Sequence, residues 1–299
     1  SPPSVLAKLS FAEATALWGS REYQRTLTRC EDAIARYRAA GDSLGAARAQ
    51  DIAAIALEAL GRWPESAALA RDVLSIARTA NNQMLATGAM RTLAVLSADS
   101  GDFTTARRYI ADVLYIYELL GAKWEVPNVL NELACIEFLA GNAELALQHA
   151  NDAFARRGDF DDPSVATDLR TDVARFFIDV ARYDEAKSHV RETLTLARER
   201  HQDVYATFAL QHLAAIAVLQ AQSFAERAVD VCPRAARILG FADARIAQRG
   251  SVLRVDERPT YERTLTALRA AIGAEAVAKL MAEGAIMAEE QAVEEALAL

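Results

Sequence analysis

The sequence predicts an all-α solenoid built from antiparallel helix pairs and closed at its C-terminal end by a helical cap. Three observations predict it. Ala, Leu, Arg and Glu dominate, with only 13 Gly and 7 Pro among 299 residues, and these are residues that lose little on entering a helix. Short turn segments recur at a fixed step: Ser20-Arg21-Glu22-Tyr23, Gly61-Arg62-Trp63-Pro64, Gly101-Asp102-Phe103-Thr104, Gly141-Asn142-Ala143-Glu144 and Ala181-Arg182-Tyr183-Asp184 place positions 23, 63, 103, 143 and 183 forty residues apart. Nine residues before each stands an alanine, Ala14, Ala54, Ala94, Ala134 and Ala174, and the next step reaches Ala214.

Each forty-residue unit divides into two helices. First helices are expected near residues 4–18, 44–60, 84–100, 124–140, 164–180 and 203–221, with the alanine series at the crossing where a neighbour must approach closely. A larger side chain there overpacks the contact, at about 1–3 kcal/mol. Second helices are expected near 22–40, 64–80, 104–120, 144–157 and 184–200. Their buried stripe is the i, i+4 series Cys30/Ile34, Ala70/Leu74, Ile110/Leu114, Ala150/Phe154 and Val190/Leu194. Two amphipathic helices of this length cannot cover both apolar faces alone, so the next pair supplies the missing core.

The punctuation agrees. Gly41-Asp42-Ser43, Asn81-Asn82 and the Gly158–Pro163 stretch fall between units, where stops and N-caps are needed, and Pro64, Pro127 and Pro163 fall near helix starts. The sixth unit is degenerate. Gln222-Ser223-Phe224 replaces the turn, the helix before it is expected to run on toward Asp230, Cys232-Pro233 to break it, and the register to be lost. We therefore divide the chain into repeats over 1–221 and a capping region over 222–299, the latter read as three or four short helices separated at Gly250, Gly273 and Gly284.

The small–aromatic turn followed by an acid and Ala, as in Tyr183-Asp184-Glu185-Ala186, resembles the tetratricopeptide signature across roughly residues 4–221. The resemblance implies a right-handed superhelix, although the forty-residue period departs from the family's usual 34. Longer units of this kind resemble the regulatory repeats of large bacterial ATP-dependent transcriptional regulators of the MalT-like, LuxR-type group. The tail, with Arg234 to Gly240, Pro259 to Arg263, and Ala282-Glu283-Gly284 before Glu289 to Leu297, is similar to the C-terminal end of such regulators. No GxxxxGK[ST] loop and no basic helix-turn-helix segment occurs here, so nucleotide and DNA binding in such a parent would lie outside these residues.

Charge and composition exclude several classes. A formal net charge of −8 offers no electrostatic footprint for nucleic acid. Cys30, Cys135 and Cys232 are too widely spaced for a disulfide framework or a metal knuckle, which points to reduced thiols and a cytoplasmic protein. No basic segment followed by an apolar core opens the chain, and no membrane span is read. Ser1 stands without a preceding Met, from which we expect sequence N-terminal to it, whereas Ala296-Leu297-Ala298-Leu299 trails off like a natural end.

No catalytic constellation, cofactor cradle or metal motif is found, so the chain is not expected to be an enzyme. His149 and His189 are one period apart and occupy equivalent places rather than converging on a metal, and the same packed or solvated role is read for His201 and His212. Asp161 and Asp162 before Pro163 are read as acids complementing a helix start. Glu192 has no evident i, i+4 partner and belongs to the solvated face.

Carrying the family's concave-face positions onto this sequence gives Phe11, Asp51, Arg91, Asn131, Thr171 and Gln211. One turn on it gives Thr15, Ile55, Val95, Cys135, Arg175 and Ala215, with Trp18, Glu58 and Phe138 further along. The candidate ligand-binding set is Arg91, Asn131, Arg175, Phe138, Trp18 and Asp51. Arg91, Asn131 and Arg175 are expected to hold a carboxylate or other anion, with Phe138 and Trp18 as apolar anchors. The set departs from the repeated Lys and Asn of the carboxylate-clamp pattern. Two functions follow: a protein- or peptide-binding regulatory module, or a small-molecule effector sensor. Self-association is a third expectation, because an open-ended stack exposes an apolar face at each end unless capped.

Overall fold

The computed structural model describes residues 3–157, 163–222 and 225–299; Asp161 and Asp162, with Ser223 and Phe224, lie outside the described residues. The described residues are helical, with no strand among them. In chain order the helices are α1 (Pro3–Gly19), α2 (Tyr23–Ala39), α3 (Ser43–Ala59), α4 (Trp63–Thr79), α5 (Gln83–Asp99), α6 (Phe103–Leu120), α7 (Val126–Leu139), α8 (Ala143–Arg157), α9 (Pro163–Asp179), α10 (Tyr183–Glu199), α11 (Asp203–Ala221), α12 (Ala225–Gln248), α13 (Arg258–Ile272), α14 (Ala274–Ala285) and α15 (Glu289–Leu297).

Helix ends follow from one device repeated every twenty residues. Arg21, Gly41, Gly61, Asn81, Gly101, Gly121, Gly141, Ala181 and His201 all take positive φ. The amide after each reaches back five residues, as Glu22 N to Leu17 O, Asp42 N to Tyr37 O and Asp102 N to Ser97 O at 2.9 Å. These are Schellman closures, which satisfy carbonyls that a helix end leaves open. Gly101 adopts φ +82° freely, whereas Arg21, Ala181 and His201 do so against a Cβ penalty of about 1–2 kcal/mol. Asp42, Asn82 and Asp102 then start the next helix by accepting from the amides of Gly45, Leu85 and Thr105. In α7, Pro127 has no N–H to offer Lys123. The entry therefore tightens into a 3-10 turn over Lys123–Glu125, in which Val126 N–H bonds the Lys123 carbonyl.

The packing series sit where their spacing puts them. Ala14, Ala54, Ala94, Ala134, Ala174 and Ala214 are all fully buried, as are Cys30, Ala70, Ile110, Ala150 and Val190 to within a percent. Within this all-α repeat architecture the chain forms two compact units. One holds Ser1–Ile136 with Arg249–Val252, and the other holds Glu137–Gln248 with Leu253–Leu299, a division other than the one at residue 221 expected from the repeats. In the first unit Val252 N–H donates to the Ala59 carbonyl at 3.1 Å, with its side chain against Gly61.

The second unit corrects the reading of the sixth repeat. α11 stops at Ala221 instead of running toward Asp230, and α12 carries Pro233 in its interior. Proline there removes the bond to the Val229 carbonyl, but Val229 is exposed, so water can satisfy that oxygen. The register is indeed lost: the positions matching Val190, Thr193, Leu194 and Ala197 are Asp230, Pro233, Arg234 and Arg237, none buried, and the buried stripe is Cys232, Ala235, Ala236 and Leu239. Gly284 does not separate helices as expected. It lies inside α14, where a Cβ would overlap the Arg237 backbone of α12, and Gly240 meets Met281 in the same way. The two glycines let the α12 and α14 backbones touch. α11 is long and apolar enough to cross a membrane, yet 89% of that stretch is buried, as a core helix flanked by α9, α10, α12, α13 and α15 requires.

Candidate functional site

The same register positions behave differently in the two units. In α1, α3 and α5, Phe11, Asp51 and Arg91 are half-buried, Ile55 and Val95 are half-buried, and Thr15 is exposed. In α9 and α11 the matching Thr171, Gln211, Arg175 and Ala215 are all buried. The physical reason lies in the tail. The segment before α13 plugs the first-helix face of the second unit.

That plug is ionic. Arg175, at 0% exposure, donates to Glu257 Oε1 at 2.8 Å and Asp256 Oδ2 at 2.8 Å, with Asp172 Oδ1 at 3.1 Å. Its guanidinium lies over Phe138 and Phe176, at 5.1 and 5.2 Å from the ring centroids. His212 Nε2 donates to Glu257 Oε2 at 2.8 Å. Arg254 completes the set, 2.7 Å from Asp256 and 3.2 Å from each of Asp168 and Asp172. Burial pushes the Asp172 carboxyl up to about 6, against the pull of Arg254 and Arg175. Burial also opposes ionisation of Glu257, but His212 and Arg175 outweigh it and hold that carboxyl below its ordinary range.

In the first unit, Arg91 forms a fork with Glu132, Nε to Oε1 at 2.9 Å and Nη2 to Oε1 at 2.6 Å, and lies 3.6 Å from Glu125. Burial disfavours the Arg91 charge, yet Glu132 more than restores it and raises the pKa. Asp51 has a buried Oδ1 with no hydrogen-bond partner. Burial pushes its carboxyl up to about 7, moderated by Arg91, and the carboxylate rests on Gly88, where a Cβ would collide with it. Around Arg91 this face therefore gathers the carboxyl groups of Asp51, Glu125 and Glu132, beside Phe11, Ile55 and Val95.

Of the expected ligand residues, Arg175 and Phe138 come together, but inside a packed core, and Asn131 is buried too. Arg91 and Arg175 were expected to meet an incoming anion; carboxylates of their own units already engage both. Trp18 is exposed and Asp51 half-buried. Glu192, read without a partner, accepts from Arg170 at 2.7 Å. His189 is packed, stacked on Phe177 at 5.5 Å. The residues missed were Asp172, His212, Arg254, Asp256 and Glu257. A signal existed for two of them: the register position held by Ala12, Ile52 and Thr92 turns to Glu132, Asp172 and His212 farther along.

No family model matches the chain, and no curated relative matches it. Solved structures do. A Rap protein complexed with Competence and Sporulation Factor is 14% identical, over 93% of this chain and 76% of that one, with a TM-score of 0.65. The Rap conjugation gene regulator of the plasmid pLS20 in complex with the Phr* peptide is 13% identical, over 95% and 77%, with a TM-score of 0.61. A thermophilic TPR protein of Thermus thermophilus is 17% identical, over 68% and 99%, at 0.50. At such identities the likeness is one of fold: a TPR-like, Rap-like helical repeat.

Proposed function

We propose that the chain is a non-catalytic, regulatory protein-interaction module that binds a protein or peptide on the first-helix face of its first unit, formed by α1, α3 and α5. The observation that carries this reading is the contrast in exposure at matching register positions. The face of α9 and α11 is filled by residues 254–257 of the same chain, whereas that of α1, α3 and α5 remains half-open. Two Rap structures, one complexed with Competence and Sporulation Factor and the other a conjugation gene regulator in complex with the Phr* peptide, support a peptide as the ligand and regulation as the role. A place as the repeat arm of a bacterial MalT-like, LuxR-type regulator is the corresponding proposal for the parent protein, carried by the repeat and tail resemblance.

The chemistry of the face selects among peptides. Phe11, Ile55 and Val95 offer apolar contact, and the excess of carboxylates over Arg91 favours a ligand bearing Lys or Arg over an acidic one. The test is selection from a random peptide library on the intact chain, followed by hydrogen exchange of the bound state. Selected peptides should be enriched in basic and apolar residues, protect α3 and α5, and lose affinity tenfold or more with Ile55→Lys or Asp51→Asn. Peptides that bind unchanged to both variants, or protect only other helices, would end this assignment.

A further inference from the structure

α1 presents an apolar seam whose outer positions, Val5 and Leu9, are covered at matching places in later first helices. Val5 and Leu9 are 51% and 56% exposed, and Ala12 and Ala16 are exposed beside them. Their register equivalents are closed off: Gly45 and Leu85 match Val5, while Ala49, Ala89, Leu169 and Ala209 match Leu9, and all are buried. The cover in α3 is visible. Tyr37 of α2 abuts Gly45, Ala49 packs with Ala33 and Tyr37, and Ala56 with Leu27 and Cys30. Among the described residues nothing plays that part for α1, although its opposite side, Ala7, Ser10 and Ala14, is buried.

The seam has an internal grammar. Residues 5, 9, 12 and 16 are spaced by four, three and four, the a/d spacing of a two-stranded coiled coil. Exposed Lys8 and Glu13 flank it on opposite sides, five residues apart, which is the offset that joins the g position of one helix to the e position of a parallel partner. We propose that this face is the contact for a second copy of the chain, through a parallel α1–α1 pairing. Val5 then faces Val5 and Leu9 faces Leu9, the alanine layers let the backbones close up, and Lys8 of each copy meets Glu13 of the other. Glu13 is half exposed and lies 3.2 Å from Arg29 of its own copy, so Lys8 of the second copy would join an existing ion pair. An antiparallel pairing that kept the apolar layers together would instead set Leu9 by Ala12 and Val5 by Ala16, with Lys8 near Thr15 and Glu13 near Leu6, and no ion pair would form. With the protein lying on the far side of α1 in both copies, the parallel arrangement is sterically open. Two heptads bury less than a standard permanent interface, so the dimer is reversible.

Sedimentation equilibrium of the 299-residue chain over about 1–200 µM, a range matched to a weak pair, should show mass rising from one chain toward two. Leu9→Glu should weaken association at least tenfold without changing the far-UV spectrum or melting midpoint of dilute protein, since Leu9 is exposed. Lys8→Glu should weaken it less, and Lys8→Glu combined with Glu13→Lys should restore it. Leu9→Cys should form a disulfide-linked dimer on oxidation while the wild-type chain does not, because only the parallel pairing sets the two copies of residue 9 together. A monomer at every concentration, a dimer indifferent to Leu9→Glu, or no rescue by the charge swap would overturn the proposal. So would a chain that does not self-associate but binds a peptide of residues 23–39, which would assign the seam to a stacked repeat helix.

Discussion

Replacing Arg175 with methionine keeps an unbranched side chain of similar length in the core of the second unit and removes only the guanidinium. Three carboxylates, those of Asp172, Asp256 and Glu257, then lose bonds of 3.1, 2.8 and 2.8 Å, and two rings lose a cation–π contact. Removing one partner from a buried ion network costs about 3–5 kcal/mol, because the remaining charges stay desolvated and unpaired. The loss should depend on pH. Burial already lifts the Asp172 carboxyl to about 6, and without Arg175 it rises further. A carboxyl whose pKa is raised in the folded protein binds its proton more tightly there than when unfolded, so stability falls as pH climbs from about 4 through the folded value. In the variant that fall runs on to a higher pH and is larger in total. The destabilisation should therefore be larger at pH 8 than at pH 5. Trp18, Trp63 and Trp124 all belong to the first unit, so tryptophan fluorescence does not report on this region directly. Hydrogen exchange of α9 and α11 amides, with far-UV dichroism in urea, is the suitable assay. A loss below about 1 kcal/mol at pH 8, or equal losses at both pH values, would refute the reasoning. Adding Glu257→Gln to the variant should recover part of the loss, because it removes one orphaned charge.

Gly284→Ala should destabilise the second unit by about 1–3 kcal/mol despite alanine's better helix propensity, since the new Cβ meets the Arg237 carbonyl rather than a yielding side chain; Gly19→Ala, which meets nothing at the end of α1, should be neutral to slightly stabilising in the same thermal melts. Asp51→Asn should stabilise the first unit above pH 7, by at most about 4 kcal/mol from the size of its shift, and the gain should shrink as pH falls from about 7 and vanish below about 4, where the wild-type carboxyl is protonated folded or unfolded; urea titrations followed by tryptophan fluorescence read this. Pro233→Ala should add about 1–2 kcal/mol by returning an amide to α12, visible as slower exchange around Val229. Burial and then Arg170 lower the His189 pKa, so the folded protein resists its protonation and stability should drop as pH falls below about 6.5, a drop that His189→Phe should remove.

What the sequence made legible was whatever obeys the forty-residue step. The ends of the repeat helices fell within two residues of expectation because the left-handed closure at 21, 41, 61 and onward recurs with the period, and the alanine series marked buried crossings because each must solve the same close-approach problem. Single-residue rules failed where tertiary context overrode them. Pro233 is a strong local breaker, but an exposed carbonyl at Val229 makes its helix tolerable. Gly284 looks like punctuation, but the contact that demands it comes from Arg237, which no local pattern connects to it.

The ion pairs divide along the same line. Arg91 and Glu132 are 41 residues apart, one period plus one position, so their pairing is a neighbour relation that the repeat itself encodes. Arg175 reaches partners 81 and 82 residues downstream, in a segment that has left the repeat register, and no spacing in the sequence links them. Both arginines read alike from the sequence, as polar groups on a ligand-binding face. Only the fold shows that one remains on a half-open surface beside an unsatisfied carboxylate, while the other is enclosed by its own chain, and that difference is what moves the proposed binding face to α1, α3 and α5.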